Sequence, residues 1–519
     1  MLFTSHIFLF IFLPLTIILF YFIRNKFNTN FSILFLLISS IIFYLWWYPI
    51  YIILLLSSIL FNYQIGKKLY IKKSIKILIF GILCNVFVIG YFKYSLFFIE
   101  TFYSKYHNWS HFEQIILPLG ISFFTFQQIG FLIDTYKGKT SEKSFISYSI
   151  FVSFFPQLIA GPIVKHKDIS DQITKKKFGK FKWSWLYLGL CLFTIGLSKK
   201  VFLADNFAPF SNSIFNGVSN GVSTEFFEAW LGTIAYSLQL YFDFSGYSDM
   251  AIGLGFMFGI RLPINFISPY KSTGAIEFWN RWHISLSSWL RDYVFNPLEI
   301  FSQRRLIRQN EFIKHSATYL NIIITFLISG LWHGAGWTFI LWGLFHGILI
   351  VINNFWVTLS KIIKIGLTIP KPISILLLYI FIVFAWVPFR AENLDTTYKI
   401  WKTMLGLNGI SLPRFFGDLP LFLEKLGFKT EGIHSGLLVD FNVLSLWCIF
   451  GMLIVWFGPS SIKIFLNTNY KKNIDTNLII NQISKRKLIS KTFSIFIGII
   501  LFIAFLYTNS NIEFLYFQF

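Results

Sequence analysis

The chain has 519 residues, of which 55% are hydrophobic and 21% aromatic while only 13% are charged. An ordinary soluble domain carries about a quarter charged residues, so this composition excludes a protein kept in solution by a charged surface. The formal net charge of +22 does not point to nucleic acid. The lysines gather in short loops beside apolar runs, the arrangement that keeps basic loops cytoplasmic, and anionic membrane lipid is the partner they fit. Cys84, Cys191 and Cys448 lie far apart in apolar stretches, without the spacing of a disulfide framework or a zinc site, so no metal is expected.

Apolar runs of about 17 to 20 residues, enough to cross a hydrocarbon core, recur along the whole chain and predict a multi-pass protein without a separate soluble domain. The first, Ile7 to Ile23, lacks a basic leader and a small-residue cleavage site and reads as a retained span. Arg24 and Lys26 follow it, Lys67 to Lys76 follow the third span, and Lys137 to Lys143 follow the fifth, so all three loops fall on the cytoplasmic side. The loop Lys165 to Lys182 is again lysine-rich. The apolar stretch Phe145 to Val164 must therefore begin and end on one side, and Pro156, Gly161 and Pro162 break it, which predicts a re-entrant segment lining a cavity near Phe155 to Pro162.

A span near 185 to 204 then leads to the acidic segment Asp205 to Glu228, which reads as an external loop. The next apolar stretch is interrupted by Asp243-Phe-Ser-Gly-Tyr-Ser-Asp249; two intramembrane carboxylates are costly and are expected either to polarise a pathway or to cap broken helix ends. Residues 261 to 316 are too polar to cross. Within them Trp282, Leu286, Trp289, Leu290 and Tyr293 fall on one helical face, with Arg281, Ser285, Ser288 and Asp292 opposite, as in a helix lying at the cytoplasmic membrane surface. Residues 317 to 357 are long enough for a hairpin bent at Gly330 to Gly336. Another span near 373 to 389, an external segment from Arg390 to Asp440, and two spans enclosing the basic loop Lys463 to Lys491 complete about twelve spans of apolar length.

His333 and His346 lie deep in the apolar run that begins at Leu331 and Trp332 and continues through Trp337, where an ionisable group is a functional candidate. An imidazole that accepts a proton near pH 7 suits a general base; hydrogen bonding across a packed helix pair is the structural alternative. If one helix ran unbroken through both, thirteen positions at about 100° each would turn His346 roughly 140° away from His333, so the two would not share a site. Gly334, Gly336, Gly343 and Gly347 remove side-chain bulk and admit a close neighbour or a substrate. His283 lies beside Arg281, Trp282, Arg291 and Asp292, where guanidinium forks and indoles fit a phosphate-bearing donor such as acetyl-CoA, or equally an aromatic belt at lipid headgroups. Intramembrane Asp and His with broken helices also suit a transporter or channel, and paired histidines suit haem.

The stretches Trp332-His-Gly-Ala-Gly-Trp-Thr-Phe-Ile-Leu-Trp-Gly343 and Phe278 to Pro297 resemble the bacterial membrane-bound O-acyltransferase family, in its alginate O-acetyltransferase branch. Further matching pieces are Pro118 to Gln127, Phe155 to Pro162, Asp243 to Met250, Phe389 to Glu392 and Tyr516 to Phe519, so the resemblance runs over nearly the whole chain. It implies an all-α membrane bundle around a tunnel, with His333 matching the family's essential histidine and His283 its second. It also implies an O-acyltransferase of the bacterial inner membrane, with no bound cofactor, that takes acetyl groups from acetyl-CoA and passes them to an SGNH-type periplasmic partner for O-acetylation of a polysaccharide such as an alginate-like polymer or peptidoglycan. A sister branch moves D-alanine to teichoic acid. Trp332, Trp337 and Asp243 fall in the matching motifs as further substrate-contact candidates, and Asn280 stands where relatives commonly carry Arg.

Overall fold

In the computed structural model, residues 1–103, 116–363, 369–412, 420, 423–424, 427–430, 441–465, 491–508 and 514–515 are described. The loop Lys463 to Lys491, most of the second half of the segment Arg390 to Asp440, and the terminal motif Tyr516 to Phe519 lie largely or wholly outside them. Within hydrocarbon the backbone has no water to bond, so a chain this apolar satisfies its peptide groups in helices. The described residues accordingly form helices and their connections, with one parallel pair of two-residue strands, Ile410–Ser411 and Phe428–Lys429.

Seven helices are long and apolar enough to cross a membrane: Phe8–Lys26, Tyr51–Ile71, Ile75–Phe102, Trp183–Ser219, Glu311–His333, Trp337–Ser360 and Lys371–Arg390. Thr29–Leu45, Phe441–Phe457 and Thr492–Leu506 are shorter and apolar, and Ile121–Tyr136 and Phe226–Met257 run buried among the others. The protein is an all-α polytopic membrane protein, with helices for about the twelve spans its apolar lengths predict.

The stretch Phe145 to Val164 forms the nine-residue helix Phe145–Ser153, a break at Phe154, and the short turn Phe155–Leu158 with Pro156 in its first positions. Nine residues rise only about 14 Å, under half of a hydrocarbon core of about 30 Å. His166 closes the excursion by bonding Thr140 Oγ1 at 2.7 Å and Glu142 Oε2 at 3.1 Å. The segment thus enters and leaves at one end of the bundle.

Three expectations are corrected. Asp205 to Glu228 is mostly helix, not a loop, because Asp205–Ser219 continues the helix begun at Trp183 through a π turn at Lys199–Ala204, which leaves only residues 220–225 as the connection to Phe226–Met257. The Asp243 to Asp249 motif does not interrupt its helix either; Phe226–Met257 is unbroken. Its carboxylates are neutralised from the side, Asp243 by Lys200 at 2.7 Å and Asp249 by Lys199 at 2.6 Å, so neither caps a helix end. The helices approach closely enough for this because glycines face each other: a Cβ at Gly196 would collide with the Gly246 carbonyl, and one at Gly189 with that of Gly253. Packing of small residues replaces the hydrophobic drive that lipid cannot supply.

The third correction concerns the amphipathic helix. Ile284–Leu290, continued by a π turn at Arg291–Phe295 into Asn296–Arg305, turns its apolar face into protein rather than lipid. Trp289 stacks on Phe126 at 3.9 Å and donates Nε1–H to the Phe126 carbonyl at 3.0 Å. Trp282 is 3% exposed. A lipid-belt role does not fit these two indoles, since at lipid headgroups they would not be enclosed by neighbouring helices.

Candidate active site

The hairpin expected between 317 and 357 is present, with Glu311–His333 and Trp337–Ile363 joined at Gly334 to Gly336. Its helices touch through backbone: a Cβ on Gly330 would collide with the Phe339 carbonyl, and one on Gly343 with that of Phe326. Gly343 and Gly347 therefore serve the helix pair, not a substrate. Gly330→Val is expected to lower folding stability by about 1 to 3 kcal/mol through overpacking, read as a lower thermal midpoint of the purified protein; an unchanged midpoint would refute the close pairing.

This break also removes the premise of an unbroken helix through His333 and His346. The two imidazoles instead contact one indole, each with its ring centre 4.9 Å from that of Trp342. His346 is fully buried among Trp279, Trp342 and Trp386, and neither of its nitrogens has a hydrogen-bond partner among the described residues.

His333 ends its helix with its ring against Trp332, Trp342 and Phe389. His283 lies 6.4 Å from it, centre to centre, and 6.1 Å from Trp332. The sequence places His283 at the membrane surface; the structure buries it completely, at the depth of His333. The chain dips inward there because Asn265, itself fully buried, anchors it. Asn265 Oδ1 accepts from Ser285 N at 3.3 Å and Ser285 Oγ at 2.9 Å, and lies 3.1 Å from His283 Nδ1.

A backbone N–H can only donate, so the amide oxygen faces Ser285 and the proton between Asn265 and His283 sits on Nδ1. A neutral His283 then carries its lone pair on Nε2. Its backbone has φ +42°, a left-handed conformation that costs a non-glycine residue about 1 to 3 kcal/mol and is held at functional sites by the surrounding structure. Here Ile284 N donates to the Asn265 carbonyl and Ser287 N to the His283 carbonyl, both at 3.0 Å.

Beside His333 lies a cavity of about 90 Å³ lined by Trp47, Lys93, residues 117–123 (the turn leading into the helix Ile121–Tyr136 and its first residues), Ile159 and Trp332. Ile159 comes from the re-entrant segment, as expected. Gly120, at φ +70°, lets Leu158 approach; a side chain there would be strained and would crowd the Leu158 carbonyl. The cavity lies at the start of Ile121–Tyr136, the end opposite the basic loop Lys137 to Lys143.

The structure brings His333, His283 and Trp332 together, with Trp282 one ring further on, against Trp386 at 5.1 Å. The other candidates lie elsewhere. Arg281 pairs with Glu277 at 2.5 Å, and Asp292 with Lys165 at 2.6 Å. Arg291 is largely exposed, with Nε 3.7 Å from Asp292. Trp337 is half exposed against Phe97, and Asp243 is locked in its ion pair. Sequence reasoning missed Asn265, hidden in a segment too polar to span, and Lys93. Lys93 lies in the apolar helix Ile75–Phe102, and the rule that flagged His333 applies to it equally. No group of His, Cys, Asp and Glu that would hold a metal occurs among the described residues.

The model of the membrane-bound O-acyltransferase family matches residues 136–387, a range that contains His283 and His333. The chain is 42% identical over 459 residues to the peptidoglycan O-acetyltransferase of Helicobacter pylori, covering 82% of this chain and 84% of that one. It belongs to the membrane-bound O-acyltransferase family. Identity is 37% over 425 residues to the probable alginate O-acetylase AlgI of Azotobacter vinelandii, 79% of each chain. The teichoic acid D-alanyltransferase of Streptococcus thermophilus is 33% identical over 253 residues, 49% of this chain and 60% of that one. This O-acyltransferase therefore carries His283 and His333 inside the family's shared region, and His333 bridges the two hydrophobic clusters, touching Trp332 of one and Trp342 of the other.

Proposed function

We propose that the protein is an inner-membrane O-acetyltransferase that takes acetyl from acetyl-CoA on the cytoplasmic side and passes it outward, through an SGNH-type periplasmic partner, to an envelope polysaccharide. The observation that carries this is His333 in the wall of a cavity at the start of Ile121–Tyr136, the end remote from the lysine-rich loop Lys137 to Lys143, with the buried His283 ring 6.4 Å from it. Acetyl transfer is favoured over D-alanyl transfer because similarity to the two O-acetylating relatives extends over about four-fifths of the chain, against about half for the D-alanyltransferase. Peptidoglycan is the acceptor we favour over an alginate-like polymer, on the higher identity to the Helicobacter enzyme.

In this reading His333 takes the proton from the acceptor hydroxyl, whose oxygen attacks the thioester carbonyl. The tetrahedral intermediate expels the CoA thiolate, which is protonated to CoA–SH, and the ester remains on the acceptor. His283, held in one tautomer by Asn265, positions the donor. Arg281 and Arg291 stand at the edge of this block, and donor phosphates would meet them there. Inside-out vesicles given [acetyl-¹⁴C]acetyl-CoA, with and without candidate periplasmic partners, are expected to label an envelope polymer only when the protein is present. Ion flux without acetyl transfer would instead establish a transporter.

A further inference from the structure

Lys93 lies in a π-helical turn, Gly90–Tyr94, within a membrane-crossing helix. Its ammonium donates to the carbonyls of Trp332 at 2.6 Å and His333 at 3.0 Å, and the neighbouring Tyr94 hydroxyl donates to Leu331 at 2.5 Å. These are the last carbonyls of the His333 helix, which the break at Gly334 leaves without intrahelical donors. No carboxylate among the described residues pairs with Lys93. Lys93 and His333 line the same cavity.

Capping alone does not account for a lysine here. A cation inside a membrane is expensive, and neutral donors cap carbonyls, as Tyr94 does one position away. An ammonium has three protons; two serve the carbonyls, which leaves the third for the cavity. Positive charge in a low-dielectric wall is worth most where negative charge develops during reaction.

We propose that, in the acyl transfer described above, Lys93 is the oxyanion donor. Two of its protons fix the backbone of His333, and the third bonds the acyl carbonyl oxygen as charge builds on it. The acceptor oxygen forms its bond to the acyl carbon, and the carbonyl π pair moves onto oxygen and is held by Nζ–H. The pair returns as the C–S bond breaks and the thiolate leaves with the electrons of that bond.

The decisive variant is Lys93→Gln, whose amide offers two protons to the same two carbonyls but carries no charge. In vesicles at equal protein level, Lys93→Gln is expected to lower the maximal rate of acetyl transfer at least a hundredfold, while Lys93→Arg recovers part of it. Full activity in Lys93→Gln would reduce the residue to a helix cap and overturn the proposal. A second readout is independent of the donor and acceptor. Diethyl pyrocarbonate acylates imidazoles through an oxyanion of the same kind, and mass spectrometry of the His333 peptide reports its rate. That rate is expected to fall at least tenfold in Lys93→Gln with the thermal midpoint preserved, and an equal rate in both proteins would overturn the assignment. Failure of the wild type to transfer acetyl would instead count against acetyl-CoA as donor, with Lys93 then judged by the pyrocarbonate rate.

Discussion

Replacing His333 with alanine is expected to lower acyl transfer by about 10² to 10⁴-fold, the usual worth of a positioned general base, with membrane abundance close to normal. That range corresponds to roughly 3 to 6 kcal/mol of transition-state stabilisation, at about 1.4 kcal/mol per tenfold. The effect is expected in the maximal rate rather than in apparent donor affinity, because the imidazole acts on the acceptor proton. His346 supplies the internal control. It sits in a cage of Trp279, Trp342 and Trp386 with both nitrogens unpartnered among the described residues, and an apolar side chain of similar shape relieves a buried, unsatisfied polar group. His346→Leu should therefore retain turnover per folded molecule. Measurement of acetyl transfer at equal protein level decides both; substantial activity in His333→Ala, or loss confined to His346→Leu, would refute the assignment.

The second large effect is on stability. Asp243 is 2% exposed, pairs with Lys200 at 2.7 Å and accepts from Leu515 N at 3.0 Å, while Lys200 also reaches Asp205 at 2.9 Å. Removing one partner of a buried pair strands the other charge and costs about 3 to 5 kcal/mol. Asp243→Ala is expected to reduce folded protein sharply, by more than any single substitution at the exposed Arg291. The double variant Asp243→Leu with Lys200→Met should lose less than the sum of the two single changes, since no cation is left facing an empty position. Thermal midpoints in detergent test this. A role for Asp243 in chemistry would instead appear as normal midpoints with lost turnover.

Much was determined by the sequence alone. The apolar run lengths and the clustering of lysine require a polytopic helical protein, because unpaired peptide groups and translocated lysines are both costly in a bilayer. Pro156, Gly161 and Pro162 between two lysine-rich loops required a re-entrant segment, and the apolar setting of His333 marked it as exceptional. These signals are local, and each depends on a residue's energy in lipid rather than on which residue it meets.

Only the tertiary structure decided the pairings. Nothing in the order of residues places Asp243 opposite Lys200, so a motif that reads as a helix break is an uninterrupted helix with its charges neutralised from a neighbour. A segment too polar to span reads from sequence as a surface element, whereas Asn265 satisfies its polar groups internally and carries His283 to within 6.4 Å of His333. Lys93, 240 positions from His333 in sequence, meets it only because the break after the His333 helix leaves carbonyls that need donors. In a membrane a polar residue's cost is legible from the chain, but the group that offsets it comes from another helix, and that match is made by packing.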